Sequence, residues 1–246
     1  MSKYGVPYQG SKAQIADDII DNLPSGNRFV DLFGGGFAIS HCALLSRKYK
    51  TVYYNDYNPL IVDLVKNAIQ GKYKENPQFI TRDEFLKNKD KDSYTKYIWS
   101  FGNNGKDYLF GKDNEIFKKQ GHELVVNKDL NALAFYENHY KDSCNQFLSY
   151  ILVGNTWQKR RLLFANIVLK TEAIKVAETY YKGFKDLFKG FTAEEFHKLS
   201  NKYIVNKINE LIPNIAKKSY KLAKHNKLNE LERLEQLQQL QRLEQL

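Results

Sequence analysis

Three consecutive glycines, Gly34, Gly35 and Gly36, follow the run Arg28-Phe29-Val30-Asp31-Leu32-Phe33. A glycine turn after a strand lets the backbone approach a ligand closely, and a helix starting beyond it offers N–H groups. Asp56 stands 20 residues after Gly36, at the end of the next apolar run. In a doubly wound fold, an acidic side chain there can accept hydrogen bonds from both ribose hydroxyls of a nucleoside. A tight turn followed by a helix-capping aspartate would give the same pattern. The string Phe-Gly-Gly-Gly-Phe lacks the Gly-x-Gly-x-x-Gly spacing of a pyrophosphate site, and Asp31 would repel phosphate. A carboxylate suits a cofactor with an ammonium or sulfonium group. S-adenosylmethionine carries both, with a ribose diol for Asp56 and an adenine for aromatic contacts, so the pattern favours it over NAD.

These residues need strands to carry them and helices to cover the strands. Ser11 can cap a helix in which Ile15, Ile19, Ile20 and Leu23 share a face, ended by Pro24-Ser25-Gly26. Residues 28–33 read as one strand and Thr51-Val52-Tyr53-Tyr54 as a second. Ala38 to Tyr49 reads as the helix between them. Pro59 fits the first turn of a third helix, with Ile61, Leu64, Val65 and Ala68 on one face. Strands alternating with helices predict an α/β fold with a parallel sheet.

The chain has 246 residues and a formal charge of +10. Residues 1–75 carry +2, 76–225 carry +9 and 226–246 carry −1. The text divides at the same places: a glycine-punctuated first region, a middle rich in Lys, Asn, Tyr and Phe, and a low-complexity tail. The middle is predicted to be mainly helical, with helices near 129–140, 144–153, 158–183 and 203–224. Thr81-Arg82-Asp83-Glu84 and Thr192-Ala193-Glu194-Glu195 have capping-box spacing. The Asn104-Gly105 pair, between Ile98–Phe101 and Asp107–Phe110, predicts a β-hairpin. With no apolar run of ~18–20 residues and no signal-peptide pattern in residues 1–20, the expectation is a soluble, cytoplasmic protein. Cys42 and Cys144 are too few for a disulfide scaffold, and the five histidines show no metal-ligand spacing, so no metal is expected.

Three strings in order, PYQGSK at 7–12, FVDLFGGG at 29–36 and YYNDYNPLI at 53–61, resemble the opening of a Dam-type adenine-specific DNA methyltransferase. The resemblance covers about the first 70 residues. It implies a Rossmann-like, S-adenosylmethionine-dependent methyltransferase fold, with an incomplete sheet here, and a mainly helical DNA-recognition insert. It implies methyl transfer to the exocyclic amino group of adenine. Carried over by position, Tyr8 and Lys12 would line the cofactor pocket. Asp31, Phe33, Gly34, Gly35 and Gly36 would hold the methionine end, and Asp56 the ribose.

The family's Asp-Pro-Pro-Tyr catalytic element has no counterpart, since Pro7, Pro24, Pro59, Pro77 and Pro213 include no adjacent pair. No catalytic residue is therefore named. The expectation is a chain that stops before that motif, with a non-catalytic DNA-binding module or degenerate relative as the alternative. From Leu231 to Leu246, leucine recurs every third residue, a spacing that drifts around a helix and forms no coiled-coil seam. The tail reads as a solvated helical spacer.

In that family the segment before the catalytic motif reads double-stranded DNA, which here is the +9 region. Lys159, Arg160 and Arg161 form its densest basic cluster, suited to phosphate contacts or simply to a solvated helix face. The hairpin tip at Asn103, Asn104 and Lys106 is a candidate groove probe, since Asn can pair bidentately with adenine; plain turn chemistry is the alternative.

Overall fold

A computed structural model describes residues 3–73 and 78–211. The leucine-triplet tail lies outside the described residues. The described chain forms two compact units, one running to Gly111 and one beginning at Lys112.

In the first unit the order is α1 (Ala16–Asn22), β1 (Gly26–Asp31), α2 (Ala38–Ser46), β2 (Tyr49–Tyr54), α3 (Pro59–Ile69), α4 (Arg82–Asn88) and α5 (Ser93–Ile98). β1 and β2 pair in parallel, with Phe29 opposite Val52 and Asp31 opposite Tyr54. The α/β alternation read from the sequence is present, as a two-stranded sheet among helices. Strand alternation sorts the side chains. Phe29 and Val52 pack on a core of Tyr4, Ala16, Ile20, Ala38, Cys42 and Ala43, whereas Val30 and Tyr53, on the opposite face, are exposed.

Local chemistry sets the element ends. Arg47 turns left-handed at φ 56°, which stops α2 at Ser46 and lets Tyr49 open β2 instead of closing a helix. The first helix begins at Ala16, after a side-chain-free cap at Ile15. Ser11 does not cap it: its Oγ accepts from Ala13 N–H in the preceding turn. Pro59 occupies the first turn of α3, capped by Asn58 Oδ1 accepting from Leu60 N–H. Ile61, Leu64, Val65 and Ala68 are all buried as one face. Both capping boxes form, at Thr81/Glu84 and Thr192/Glu195.

Charge segmentation placed a division at 75/76, but the compact units divide at 111/112. Polar bonds and packing tie 78–111 to the α/β elements. Asn58 Nδ2 donates to Tyr97 Oη at 2.6 Å, Ser93 Oγ donates to Asp63 Oδ2 at 2.6 Å, and α3 packs on α5. With this division, residues 112–225 hold 20 Lys/Arg against 12 Asp/Glu, a charge of +8. Nearly all the basic excess therefore follows Gly111.

The expected hairpin at 98–110 is present only in part: one antiparallel bridge joins Ser100 to Tyr108, flanked by Phe101 N–H donating to Asp107 O at 2.8 Å and Leu109 N–H donating to Trp99 O at 2.9 Å. Ile98 ends α5, and Phe101–Asn103 is a 3₁₀ turn with Gly102 and Asn103 both left-handed. Asparagine side chains outcompete the ladder there. Asn103 Nδ2 donates to Tyr97 O, and Asn104 Oδ1 accepts from the N–H groups of Lys106 and Asp107.

The second unit contains α6 (Glu115–His122), a π-helical turn (Glu123–Asn127), α7 (Leu130–His139), a 3₁₀ segment (Asn145–Val153), α8 (Trp157–Glu178), a 3₁₀ segment (Phe184–Phe188), α9 (Ala193–Lys198) and α10 (Asn201–Leu211). The mainly helical expectation holds among the described residues, although 144–153 winds as 3₁₀ and residues 212–224 of the helix expected over 203–224 lie outside them. Its core gathers Leu124, Leu148, Ile174, Phe184 and Phe196, and Phe147 stacks on Phe196 at 4.2 Å. Lys170 of α8 is buried and donates to the carbonyls of Phe196 and His197 at 2.9 and 2.7 Å, closing the end of α9. No described helix is long and apolar enough to cross a membrane.

Candidate functional site

The glycine turn at the end of β1 is held from three sides. From the N-terminal segment, Val6 N–H donates to Gly36 O at 2.7 Å, and Gly5 N–H donates to His41 Nδ1 at 3.1 Å. The Tyr8 ring lies against the turn: a Cβ on Gly35 would stand 3.2 Å from Tyr8 Cε1, and one on Gly36 would stand 2.7 Å from Tyr8 Cβ. From β2, Tyr54 Oη donates to Gly35 O at 2.7 Å and its ring covers Gly34. A Cβ on Gly34 would fall 2.4 Å from that ring. The triplet is glycine because two tyrosines occupy the space that side chains would need.

The third side is Asp56. Its Oδ2 accepts from Gly35 N–H at 2.8 Å and its Oδ1 from Asn58 N–H at 2.9 Å. The carboxylate thus fastens the turn to the start of α3, so the turn-and-cap alternative is realised in part. Each oxygen has a second lone-pair direction available to a hydroxyl. Asp31 is half-buried across the turn, and its Oδ2 accepts from Ser40 Oγ at 2.7 Å. Burial first, then the Asp56 and Asp31 carboxylates, pushes the Tyr54 phenol well above its ordinary value. Tyr54 therefore remains a donor to Gly35 O.

The structure brings together Tyr8, Asp31, Gly34, Gly35, Gly36 and Asp56. Phe33 projects from the turn and is 86% exposed. Lys12 is exposed, and its ammonium donates to Gly10 O at 3.0 Å, not to the turn. Sequence reasoning missed Ser40, Tyr54 and Tyr57. Tyr54 and Tyr57 flank Asp56 within the quoted string 53–61. Tyr57, the residue after Asp56, is 97% exposed.

The basic cluster of α8 separates into different roles. Lys159 is exposed. Arg160 is 4% exposed and donates to the carbonyls of Val125, Val126 and Gly154. Arg161 is 5% exposed. The expectation that both arginines face phosphate is corrected: Arg160 clamps the carbonyl end of the π-helical turn, and Arg161 lies in the interior. A helix face repeats every three to four residues, so three consecutive basic residues cannot all share the solvent side. At the loop, Asn103 and Asn104 are half-buried and donate their amides to Tyr97 O of α5 and to Asp107 Oδ2, while Lys106 is exposed. The groove-probe expectation for the two asparagines gives way to turn chemistry.

Among the described residues no group of three His, Cys, Asp or Glu is placed to hold a metal ion. Cys42 and Cys144 are buried free thiols. The family model described as D12 class N6 adenine-specific DNA methyltransferase matches residues 8–181. No solved structure matches the chain.

Proposed function

This chain belongs to the D12 class N6 adenine-specific DNA methyltransferases, and from that premise we propose that its glycine turn holds S-adenosylmethionine for methyl transfer to adenine in double-stranded DNA. The observation that carries the reading is the placement of two carboxylates, Asp31 and Asp56, on either side of a backbone turn. An acid at the Asp56 position is common to dinucleotide sites as well, but a carboxylate at Asp31 would repel a pyrophosphate seated on the turn's N–H groups. Here Gly35 N–H is already given to Asp56. The donor set thus fits a cationic methionine end and a ribose diol. Asp31 would hold the ammonium or sulfonium end, Asp56 the ribose hydroxyls, and Phe33 and Tyr57 offer exposed rings for the adenine.

When bound, such a cofactor supplies an electrophilic methyl carbon on a sulfonium. The residues of this chain bind and orient it. Tyr8 and Tyr54 fix the turn's shape, Asp56 fixes its distance from α3, and Ser40 fixes the rotamer of Asp31. Pre-set positioning of this kind lowers the barrier without any group moving during the reaction. The +8 segment 112–225, with Lys159 exposed on α8, supplies the long-range attraction for duplex DNA. No adjacent prolines occur in 1–246, so no Asp-Pro-Pro-Tyr element is available here to accept hydrogen bonds from the adenine amino group.

Calorimetric titration of the purified chain with S-adenosylmethionine and separately with NAD tests the reading. Binding of the first and not the second is expected; binding of NAD alone would overturn it. Duplex binding with no uptake of either cofactor would point instead to a non-catalytic DNA-binding relative.

A further inference from the structure

A cleft of about 340 Å³ lies in the first unit beside the glycine turn, with Tyr8, Asn58 and Tyr97 in its lining. The loop 103–106, Lys89, Asp90 and Lys96 line it too. Three lysines against one carboxylate make it a cationic pocket of net +2. Lys96 Nζ is paired with Asp90 Oδ1 at 2.9 Å. Lys89 Nζ donates to Lys106 O at 3.0 Å, which fixes the loop that carries Lys106. Lys106, in the lining, is exposed.

Internal hydrogen bonds hold the loop. Asn103 and Asn104 are bonded to the backbone of their own segment, and Gly105 N–H donates to Ser100 Oγ at 2.9 Å. Gly105, at φ 69°, lies so close to Lys96 that a Cβ would stand 3.0 Å from its Cγ and Cε. The loop therefore offers ammonium groups and almost no free amide with which to read a base edge. Compact, strongly hydrated ammonium charges without a planar fork suit a phosphate oxygen better than a base.

We propose that this cleft seats a phosphodiester of the DNA backbone, held by Lys106 and Lys89 with Lys96 behind them. The proposal rests on the DNA methyltransferase reading and adds to it that the first unit grips DNA as well as the basic second unit. Tyr8 belongs both to the cleft and to the glycine turn, so the bound backbone would lie next to the cofactor pocket.

The test uses the full chain and a fluorescent duplex containing adenine. Binding constants are measured against salt for the wild type, Lys106→Ala and Lys89→Gln, together with S-adenosylmethionine affinity. Each released phosphate contact lowers the slope of log K against log salt by about 0.9. We expect that drop in both variants, with cofactor affinity within twofold of wild type. A scan of single uncharged methylphosphonate linkages should find one position that weakens wild-type binding severalfold and leaves Lys106→Ala unaffected. Unchanged slopes in both variants would overturn the cleft assignment and leave the DNA reading standing. Loss of cofactor affinity with unchanged slopes would also overturn it, assigning the cleft to the cofactor's carboxylate. Absence of duplex binding by the wild type would overturn the DNA reading and the cleft with it.

Discussion

Asp56 Oδ2 accepts a hydrogen bond from Gly35 N–H at 2.8 Å, so the carboxylate ending β2 fixes the turn ending β1. Its other oxygen accepts from Asn58 N–H. One side chain thus organises the turn, the start of α3 and the proposed ribose site. Asp56→Ala leaves both N–H groups without their charged acceptor, which costs about 1–3 kcal/mol each where water cannot replace it. Asp56→Asn keeps one acceptor but turns an amide NH₂ toward a backbone donor. We expect cofactor affinity to fall at least tenfold in both, with a larger loss of urea stability in the alanine variant. Calorimetry and urea denaturation read the two effects separately.

The glycines make a steric prediction that does not depend on the ligand. Gly34→Ala would place a Cβ 2.4 Å from the Tyr54 ring, and Gly36→Ala one 2.7 Å from Tyr8 Cβ and 2.9 Å from Val6 O. Overpacking of this kind costs about 1–3 kcal/mol and displaces the neighbour. Gly111→Ala meets nothing within 4 Å and serves as the control. Thermal midpoints should fall for the first two and stay level for the third.

Adjacent residues on α8 should behave oppositely. Arg160→Met would leave three buried carbonyls without their donor and is expected to cost about 2–4 kcal/mol in urea denaturation. Lys159→Ala should cost under about 0.5 kcal/mol and lower the salt slope of duplex binding by about 0.9. A destabilised Lys159→Ala, or an unaffected Arg160→Met, would contradict the placement of these side chains.

The α/β unit was legible because its signals are local. Pro59 at a helix start, the apolar face Ile61, Leu64, Val65 and Ala68, and the glycine triplet each act within a few residues. The site was legible from spacing, since Asp56 and the triplet end neighbouring parallel strands. Tyr54 escaped notice because its role depends on register: it lies opposite Asp31, and only pairing shows that its ring fills the space over Gly34. The hairpin goes no further than one bridge because Asn-Gly favours several turns, and here Asn104 Oδ1 takes the Asp107 N–H that a longer ladder would have used. Arg160 is neither a phosphate contact nor part of a solvated face, because a run of basic residues does not show which of them faces inward.

His41 gives the unit a pH dependence with a definite sign. Its ring is 6% exposed, edge-on to Tyr4 at 5.6 Å and stacked near Phe37 at 6.0 Å. Nδ1 accepts from Gly5 N–H, which requires that nitrogen to be unprotonated. Burial pulls the imidazole from its ordinary 6.5 down to about 4. The unfolded chain therefore takes up this proton first as pH falls. The stability linked to neutral His41 is complete above about pH 6.5 and is lost progressively as pH drops toward about 4. Between pH 6.5 and 5 the loss should be about 1–2 kcal/mol, at roughly 1.4 kcal/mol per unit. His41→Gln can still accept from Gly5 N–H but does not titrate, so its urea midpoint should be lower at pH 7 and nearly level down to pH 5. Because Val6 N–H holds Gly36 O one residue further on, cofactor affinity of the wild type should weaken over the same interval and that of the variant should not. Parallel pH profiles for the two proteins would remove His41 as the cause.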